Sequence, residues 1–534
     1  MKKHYWILLI TIFIAAFLRI YKLGSNPPSL YWDEASLGYN AYSILTTGYD
    51  EHGEKFPITR FIAFGDYKPP GYIYAIVPFM VIFGVSEFAI RFPSALAGIL
   101  MALFTYLITY RLTKNQTISL LAAGLLCISP WSLQLSRAAF EANLGALFNL
   151  VGIYLFICAK NKKWLYILSV VFFCLAFYTF NSNRILSPLF LILLSLIYFR
   201  EIIFAKKWIF LAAVMGILMI WPSISYLQNR ESRLRFDEVS IFTDLEIIKT
   251  SNARIAREGG VWWAKLLYNR RIFYTKAFLM HFVDHFKGEF LFINGDKNPR
   301  LSIQSIGEMY LFELPFLLAG LYIVIMKRSR LTILLFSWLL IAQIPAAVAR
   351  ETPHMLRTAS VLPVYQIFTA IGAFSFWHIL KQQHKYIKIG SLSLFTLLIV
   401  STLFNYAHNY WIHYSRDWYG EWQYGYKQLV NKVSQLEKDY DRINVSYNLG
   451  RPYIYFLLYE KINPLEYVKT RQAERDWYGF WTIKRFGKYD FVGKPEKPGE
   501  KVLRVYSQGA YSGSNKLDEI IAPDGKVIFE LGKQ

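Results

Sequence analysis

Long apolar runs follow one another from the N-terminus to about residue 405, separated by short polar segments. A run of about 20 apolar residues is long enough to cross a bilayer as a helix. Eleven runs fit this description, near 5–22, 89–110, 117–134, 144–159, 164–180, 185–199, 208–227, 308–326, 331–348, 358–380 and 387–405. The pattern predicts an α-helical polytopic membrane protein with about eleven transmembrane helices.

The chain becomes polar after about Tyr406. Its patterns there predict two helices and three strands, at 421–438, 452–460, 442–447, 501–506 and 526–531, respectively. The predicted organisation is a transmembrane domain over residues 1–406 followed by an α/β soluble domain over 407–534.

Lys and Arg concentrate in alternate short loops, and such loops prefer the cytoplasmic side of a membrane. They all fall on one side if the short apolar segment 71–84 is a helix on the membrane surface rather than a span. The two long loops, 23–88 and 228–307, then face outward together with the C-terminal domain. The expected location is the plasma membrane, with the active site on the extracytoplasmic side.

The composition narrows the classes of function. Hydrophobic residues make up 54% of the 534-residue chain and charged residues 18%, which excludes a disordered chain and an ordinary soluble domain. Lys and Arg exceed Asp and Glu by 22 charges, but most of the chain is apolar, so no nucleic acid partner is expected. The three cysteines lie in apolar runs, so neither a disulfide framework nor a cysteine zinc site is predicted.

Acidic residues follow the first span in the sequence Tyr31-Trp32-Asp33-Glu34. Placing carboxylates this close to a membrane costs free energy, so such residues usually have a charged partner or a function. One that lies beside cations could take a proton from an acceptor hydroxyl or amine. The alternative is that Asp33 and Glu34 only occupy the first turn of a helix that starts near Ala35.

Lys68 precedes Pro69-Pro70, which would start the surface helix. A lysine next to a helix N-terminus at the membrane surface is well placed to bind a phosphate. The alternative is an interfacial lysine that extends its ammonium group toward the lipid headgroups.

The other outward loops supply further candidates for substrate binding, namely Glu141, Arg184, Asp296, Arg300, His354 and Arg357. Guanidinium groups bond phosphate oxygens in pairs, so a vestibule with these residues suits a lipid-linked phosphate. Each arginine taken singly could instead contact headgroups or form a structural salt bridge.

His281 and His285 have the i, i+4 spacing of a metal site, but no glutamate follows the first histidine as in metalloproteases. The alternative is a helix with satisfied histidines.

Taken as an ordered set, Tyr31 to Ala35, Lys68 to Pro70 and Arg91 to Gly98 resemble the polytopic, lipid-phosphate-dependent glycosyltransferases of the GT-C fold. The protein O-mannosyltransferase and lipid A aminoarabinose transferase branches are the most similar. Three later segments are also similar to members of this superfamily, namely Ser136 to Glu141, Gly295 to Arg300 and Arg350 to Arg357. The resemblance covers roughly residues 1–405.

The resemblance implies inverting transfer of a sugar from a polyprenyl-phosphate donor on the outer face. By the match, Asp33 is the catalytic carboxylate, Glu34 is its neighbour in the motif, and Lys68 contacts the lipid phosphate. Glu141 stands where many relatives carry Asp. The implied partners are the donor, membrane lipids, and an acceptor that is a protein, a lipid or a polysaccharide.

The Trp-Trp-Asp-Tyr-Gly motif of oligosaccharyltransferases is absent, since Trp262-Trp263 is followed by Ala264. Transfer of an N-linked oligosaccharide is therefore not expected, and neither a cofactor nor a divalent metal is expected.

Two other classes of function stay open. A secondary transporter of an anionic solute would place polar residues or broken helices at mid-membrane, often in paired halves. Here polarity concentrates in the outward loops, and no internal repeat is visible. A membrane scaffold, in turn, would not need the outer carboxylate and cations.

Overall fold

The computed structural model describes residues 2–229, 231–446, 450–475, 481–493, 497–511 and 515–533. The chain forms two compact units. Unit 1 contains Met1–Leu18, Ala97–Leu135 and Glu141–Tyr406. Unit 2 contains Arg19–Leu96, Ser136–Phe140 and Ala407–Gln534. The first long loop therefore lies in the same unit as the C-terminal region, and the division into a transmembrane and an extracytoplasmic domain at residue 406 stays a prediction.

A helix coincides with each of the eleven predicted apolar segments. These helices are Lys2–Ile20, Glu87–Thr113, Gln116–Ile128, Glu141–Cys158, Leu165–Phe177, Asn183–Ile197, Lys206–Ile220, Leu314–Lys327, Arg330–Ile341, Val364–Lys381 and Lys385–His408. Several are apolar on all sides, as lipid-facing helices are. Lys385–His408, for example, buries only Tyr406 among its side chains.

Fewer helices meet a strict test for crossing a membrane. By length and composition alone, six helical segments of the described chain are long and apolar enough to span a bilayer. The count becomes seven if Gln116–Ile128 and Pro130–Ser136, which are bent by 56°, form one span. The polytopic character is confirmed, while the number of eleven spans stays a prediction. The segment 71–84 forms the helix Gly71–Phe83, while its position on the membrane surface stays a prediction.

The remaining helices are short and lie mostly in the loops and in the C-terminal region. The α-helices are Trp32–Thr47, Phe199–Ile203, Ile224–Gln228, Glu231–Val239, Leu245–Arg257, Trp262–Leu267, Arg270–Asp284, Ile344–Ala347, Tyr414–Asp417, Tyr426–Leu436, Tyr453–Tyr459 and Pro464–Thr470. The 3-10 and π turns are Trp221–Ser223, Ile241–Thr243, Glu289–Ile293, Leu311–Glu313, Ala359–Val361, Asn409–His413 and Glu437–Asp439.

Close packing and polar contacts hold the helices of unit 1 together. A Cβ on Gly320 or Gly372 would collide with the backbone of the facing helix, so these glycines let two helices approach closely. Asn149 Nδ2 donates to Asn183 Oδ1 at 2.9 Å and to Ser360 Oγ at 3.1 Å. Such interhelical hydrogen bonds replace those that water would make.

Unit 2 contains all nine strands of the described chain. They are β1 (Phe61–Ala63), β2 (Asp66–Lys68), β3 (Arg442–Val445), β4 (Gln472–Arg475), β5 (Trp481–Phe486), β6 (Tyr489–Asp490), β7 (Val502–Ser507), β8 (Lys516–Ile521) and β9 (Val527–Lys533). β1 and β2 form a hairpin, and the others form a sheet in the order β4-β5-β6-β3-β7-β9-β8. β3 is parallel to β6 and β7, and the remaining pairs are antiparallel.

The burial pattern of the C-terminal region explains why several of its elements could be predicted from the sequence. The helix Tyr426–Leu436 buries residues at i, i+3, i+4 and i+7, namely Tyr426, Leu429, Val430 and Val433, which is the period of an amphipathic helix. The predicted helix at 452–460 and the strands at 501–506 and 526–531 are confirmed, with shifts of one or two residues at their ends. The strand at 442–447 is confirmed as β3; residue 447 lies outside the described residues.

Candidate active site

Asp33 lies in the first turn of the helix Trp32–Thr47, whose N-terminal end favours negative charge. Its Oδ1 is 2.8 Å from Nζ of Lys68. The Asp33 side chain is 28% exposed, whereas that of Lys68 is 10% exposed. The carboxylate is therefore reachable from solvent while its cationic partner is held almost entirely within the protein.

The β1–β2 hairpin places Lys68. A two-residue turn, Phe64-Gly65, joins the strands, and both residues have positive φ, 57° and 94°. This backbone matches the twist of a two-stranded hairpin, and glycine supplies part of it without steric cost. Lys68 is the last residue of β2 and pairs with Phe61. The helix Gly71–Phe83 follows directly after Pro69-Pro70.

Glu34 is entirely buried and has a different environment from Asp33. Its two oxygens accept hydrogen bonds from Nε and Nη2 of Arg91, both at 2.9 Å. Oε1 also accepts from the backbone N–H of Ala139 at 2.8 Å, and Oε2 from that of Tyr31 at 3.3 Å. This arrangement combines a buried ion pair with a helix cap, and it points to a positioning role for Glu34.

Arg91 and Arg137 hold the segment that precedes Asp33. Arg91 also donates to the carbonyl oxygens of Pro27 at 2.8 Å and Ser29 at 2.5 Å. Arg137 donates to the carbonyl of Asn26 at 2.8 Å and to the Tyr410 hydroxyl at 2.9 Å. Because both arginines are buried, each satisfies several backbone groups that have no access to water.

The C-terminal region contributes contacts to the same segment, which sequence reasoning missed. The backbone N–H of Trp32 donates to Gln423 Oε1 at 2.7 Å. The Tyr455 hydroxyl is 2.6 Å from that oxygen and 3.1 Å from the Leu30 carbonyl. The Trp422 ring meets that of Tyr31 edge-on at 5.7 Å. These residues are about 400 positions away in the chain, and no local pattern marks them.

In unit 1, the structure brings together several of the residues predicted to bind substrate. Asp296 Oδ2 accepts from the backbone N–H of Met355 at 2.8 Å and is 3.9 Å from Nδ1 of His354. The backbone N–H of Asp296 donates to Glu308 at 3.0 Å. Burial raises the pKa of Asp296 to about 6, although two backbone N–H groups oppose the shift. Two sequence motifs, 295–300 and 350–357, therefore meet at this point.

The other predicted residues of unit 1 have these positions. Arg300 accepts a hydrogen bond on its carbonyl from Gln134 at 2.7 Å, and Arg357 Nη1 is 3.4 Å from the Glu351 carbonyl. Arg184 packs its guanidinium over the ring of Tyr226, 5.3 Å from its centre. Glu141 is the first residue of the helix Glu141–Cys158. Their roles in substrate binding, and the vestibule they were predicted to form, stay predictions.

Of the histidines at 281 and 285, His285 is a satisfied histidine, as in the alternative to a metal site. His285 Nδ1 is 2.8 Å from the carbonyl of His281, and its Nε2 accepts from the backbone N–H of His354 at 3.1 Å. Burial lowers the pKa of His285 to about 4, so it is neutral at physiological pH. Within the described ranges, no group of three or more His, Cys, Asp or Glu residues could hold a metal ion.

A buried polar cluster in the first loop was not predicted. Glu51 is 1% exposed, and burial raises the pKa of its carboxyl to about 8. Burial likewise raises the pKa of Asp50 to about 6. Burial, together with the charges of Arg471 and Arg475, lowers the pKa of His52 to about 3. Arg471 donates to the Glu51 carbonyl at 2.9 Å, so the loop and the C-terminal region share this cluster.

This cluster predicts a loss of stability in mild alkali. Between pH 6.5 and pH 8 the unfolded state has already lost the Glu51 proton, whereas the folded state still holds it. Stability therefore falls as pH rises through this window, by about 1.4 kcal/mol per pH unit. His52 opposes this decline near pH 6.5, because its ordinary pKa is about 6.5 and its folded-state pKa is lower, so the unfolded state still binds protons there. Asp50 adds a small decline near pH 6.5, since its folded-state pKa of about 6 lies just below the window. Both contributions fade as the pH approaches 8, and Glu51 dominates the net decline. Thermal unfolding of the detergent-solubilised protein at both pH values measures the effect.

The Glu51→Gln variant is expected to remove that alkaline decline, because the amide does not titrate. Glu466→Gln is a suitable control, since Glu466 is exposed on the helix Pro464–Thr470 in the same unit. An undiminished decline in the Glu51→Gln variant would assign the pH dependence to other groups.

The family described as dolichyl-phosphate-mannose-protein mannosyltransferase matches residues 67–226. No curated protein sequence matches the chain significantly. ArnT from Cupriavidus metallidurans in the apo state superposes with a TM-score of 0.55 at 12% identity, over 99% of this chain and 98% of that one. The chain has the GT-C fold.

Two further structures agree with this fold. ArnT from the same organism bound to undecaprenyl phosphate has a TM-score of 0.52 at 10% identity, over 98% of this chain and 97% of that one. The Archaeoglobus fulgidus oligosaccharyltransferase in complex with Zn and sulfate has a TM-score of 0.50 at 13% identity, over 85% of this chain. The chain spans only 61% of the length of that oligosaccharyltransferase.

The family match begins at Tyr67. It includes Lys68, Arg91 and Arg184 but not Asp33. The superposition with ArnT confirms the predicted polytopic membrane fold with a C-terminal α/β region. A shared fold does not establish the reaction, which depends on the residues of the site.

Proposed function

We propose that this protein transfers a sugar from a polyprenyl-phosphate carrier to an acceptor on the extracytoplasmic face of the membrane, with inversion at the anomeric carbon. The ion pair between Asp33 and Lys68, placed at a helix N-terminus within a GT-C fold, carries the proposal. The matched family is named for a dolichyl-phosphate-linked donor, and one similar ArnT structure has undecaprenyl phosphate bound. Both support a lipid-phosphate donor.

In the proposed reaction, the acceptor oxygen or nitrogen forms a bond to the anomeric carbon on the face opposite the phosphate. Its proton passes to Asp33, which acts as the general base. The bond between the anomeric carbon and the phosphate oxygen breaks, and its electron pair stays on the polyprenyl phosphate. The ammonium of Lys68 offsets the charge that develops there.

The ion pair at 2.8 Å gives Asp33 and Lys68 a structural role in addition to the proposed catalytic one. Lys68 orients the carboxylate of Asp33, and the carboxylate keeps an almost buried ammonium charged. A donor phosphate then enters a site where a cation is already in place, so little reorganisation accompanies binding. The saturated contacts of Glu34 support a positioning role, because its oxygens hold Arg91 and two backbone N–H groups.

The other residues predicted from the sequence are also proposed to bind substrate. Arg184, Arg300 and Arg357 are proposed ligands of the phosphate, since paired guanidinium N–H groups suit its oxygens. Glu141, Asp296 and His354 are proposed to bind the sugar or the acceptor. The proposed acceptors are a protein, a lipid headgroup or an envelope polysaccharide.

The proposal is tested with purified protein in liposomes that contain polyprenyl-phosphate sugars, with release of polyprenyl phosphate as the readout. Mass spectrometry of envelope lipids and proteins from cells with and without the chain then identifies the modified acceptor. We expect donor-dependent release and a mass increase of one sugar. Robust flux of an anionic solute without any glycosylated product would instead favour a transporter.

Lys68→Ala is expected to raise KM for the donor by roughly 10- to 100-fold, the effect of losing one charge-assisted hydrogen bond. KM for the acceptor should change much less, because Lys68 is proposed to face the phosphate. Lys68→Arg should retain part of the donor affinity. Steady-state kinetics with the donor and the acceptor varied separately measures both constants.

Lys55→Ala serves as the matched control, because Lys55 is exposed in the same loop. An unchanged donor KM in Lys68→Ala would remove this residue from the phosphate site.

A further inference from the structure

An exposed apolar surface lies at the end of a helical hairpin in unit 1. The hairpin consists of the helices Leu245–Arg257 and Arg270–Asp284, and the short helix Trp262–Leu267 lies between them. We call residues 261–272 the Trp tip. Trp262 is 78% exposed and Leu266 is 66% exposed. The short helix buries only Ala264, so nearly all of its apolar side chains face away from the protein.

The Trp tip is also basic. Three cations, Lys265, Arg270 and Arg271, occur among its residues, and no Asp or Glu does. All three are exposed. A surface that combines exposed tryptophan and leucine with positive charge is complementary to anionic headgroups above an apolar layer.

The tip is held in place by contacts rather than being a loose loop. Ser251 Oγ donates to the Tyr268 carbonyl at 2.5 Å. Arg254 packs its guanidinium over the rings of Tyr268 and Phe273, 5.7 Å and 5.4 Å from their centres. These contacts connect the backbone of the tip to both helices of the hairpin.

The base of the hairpin is attached to the end of a candidate span. The backbone N–H of Ile241 donates to the Val348 carbonyl at 2.9 Å, and that of Arg350 donates to the Val239 carbonyl at 2.8 Å. Val348 follows directly after the segment Arg330–Ala347, which is long and apolar enough to cross a membrane. The hairpin therefore begins where this segment would leave the bilayer.

We propose that the Trp tip binds the surface of an anionic lipid bilayer, with Trp262, Leu266 and Leu267 at the level of the glycerol and upper acyl groups. Lys265, Arg270 and Arg271 then contact lipid phosphates. Tryptophan prefers this interfacial region because its ring is amphipathic. The tip is an additional membrane contact, distinct from the spans, and it does not depend on the proposed sugar transfer.

The test uses the full-length chain in which Cys127, Cys158 and Cys174 are replaced by alanine and Trp262→Cys carries an environment-sensitive fluorophore. The protein is reconstituted in phosphatidylcholine vesicles with and without phosphatidylglycerol. We expect emission shifted to shorter wavelength, quenching by lipids with a nitroxide near the headgroup, and protection from aqueous iodide. The protection should be greater when phosphatidylglycerol is present.

A label at Val492→Cys provides the water-exposed reference, since Val492 is 60% exposed. Arg270→Gln/Arg271→Gln should abolish the additional protection by phosphatidylglycerol, whereas the control Lys55→Gln/Arg416→Gln should preserve it. A label at position 262 that iodide quenches as strongly as the label at 492, with no quenching by the lipid nitroxide, would overturn the proposal. The tip would then face water and be available to a protein partner.

Discussion

Asp33→Asn is expected to lower the rate of sugar transfer by roughly 10²- to 10⁴-fold, the usual contribution of a positioned general base. The amide has nearly the same shape as the carboxylate but cannot take the acceptor proton. Asp33 is partly exposed, and the amide oxygen of asparagine can still accept a hydrogen bond from the Lys68 ammonium, so the protein should still fold and insert. Turnover of the polyprenyl-phosphate sugar by the purified variant measures the loss.

The control for this variant is Asp439→Asn, because Asp439 is an exposed acid in the same unit. It should leave turnover unchanged. Size-exclusion chromatography and thermal unfolding in detergent show whether Asp33→Asn remains folded. Full activity in a folded Asp33→Asn protein would falsify the catalytic assignment.

Arg91→Met is expected to destabilise unit 2 severely. The substitution removes the guanidinium of Arg91 and leaves the Glu34 carboxylate fully buried without its cation. Breaking a buried ion pair in this way costs about 3–5 kcal/mol of folding stability. The carbonyl oxygens of Pro27 and Ser29 lose a donor at the same time. We expect the variant to unfold at a much lower temperature than the native protein or to fail to accumulate in membranes.

A second ion pair in unit 2 serves as the control. Arg60 donates to both carboxylate oxygens of Glu54, with the same chemistry but at a more exposed position. Arg60→Met should cost less than about 1 kcal/mol. Glu34→Leu/Arg91→Met removes both buried charges and should recover part of the stability lost in Arg91→Met. Equal melting temperatures for Arg91→Met and Arg60→Met would show that the buried pair is not structurally required.

The helices were the part of the fold that the sequence predicted best. Apolar segments of sufficient length leave the backbone few options in lipid, and each of the eleven segments coincides with a helix. The number of spans is less determined, because helices such as Leu165–Phe177 and Asn183–Ile197 are apolar but short. Whether such a helix crosses the membrane depends on its length, and the ends of helices are the positions that sequence patterns define least well.

Four strands of the sheet, β4, β5, β6 and β8, were not predicted from the sequence, and neither were the hairpin strands β1 and β2. β5 buries every third residue rather than every second one, so it lacks the period of a strand. β4 and β8 are the edges of the sheet and have polar sequences, Gln472 to Arg475 and Lys516 to Ile521. Edge strands often carry charge to discourage further pairing, so they lack the apolar alternation that marks a strand. β6 has only two residues, too few for any pattern.

At the candidate site, Asp33 and Lys68 were singled out from the sequence, whereas several residues that contact their segment were not. Asp33 and Lys68 were expected to act together, and they form an ion pair. Glu34 was grouped with Asp33 because the two are adjacent, yet one step along a helix directs a side chain about 100° away. Arg91 offered a signal, since a charge inside an apolar segment usually has a buried partner. The contribution of Gln423 had no such signal, because it depends on contacts made across the whole chain.

The proposed reaction requires Asp33 and Lys68 to be the base and the phosphate ligand of one site. The most direct test is the structure of Asp33→Asn with a polyprenyl-phosphate sugar bound. We predict a phosphate oxygen about 2.7–2.9 Å from Nζ of Lys68, the usual charge-assisted distance, and the anomeric carbon facing position 33. A phosphate bound out of hydrogen-bond reach of Lys68, with the sugar turned away from position 33, would contradict it.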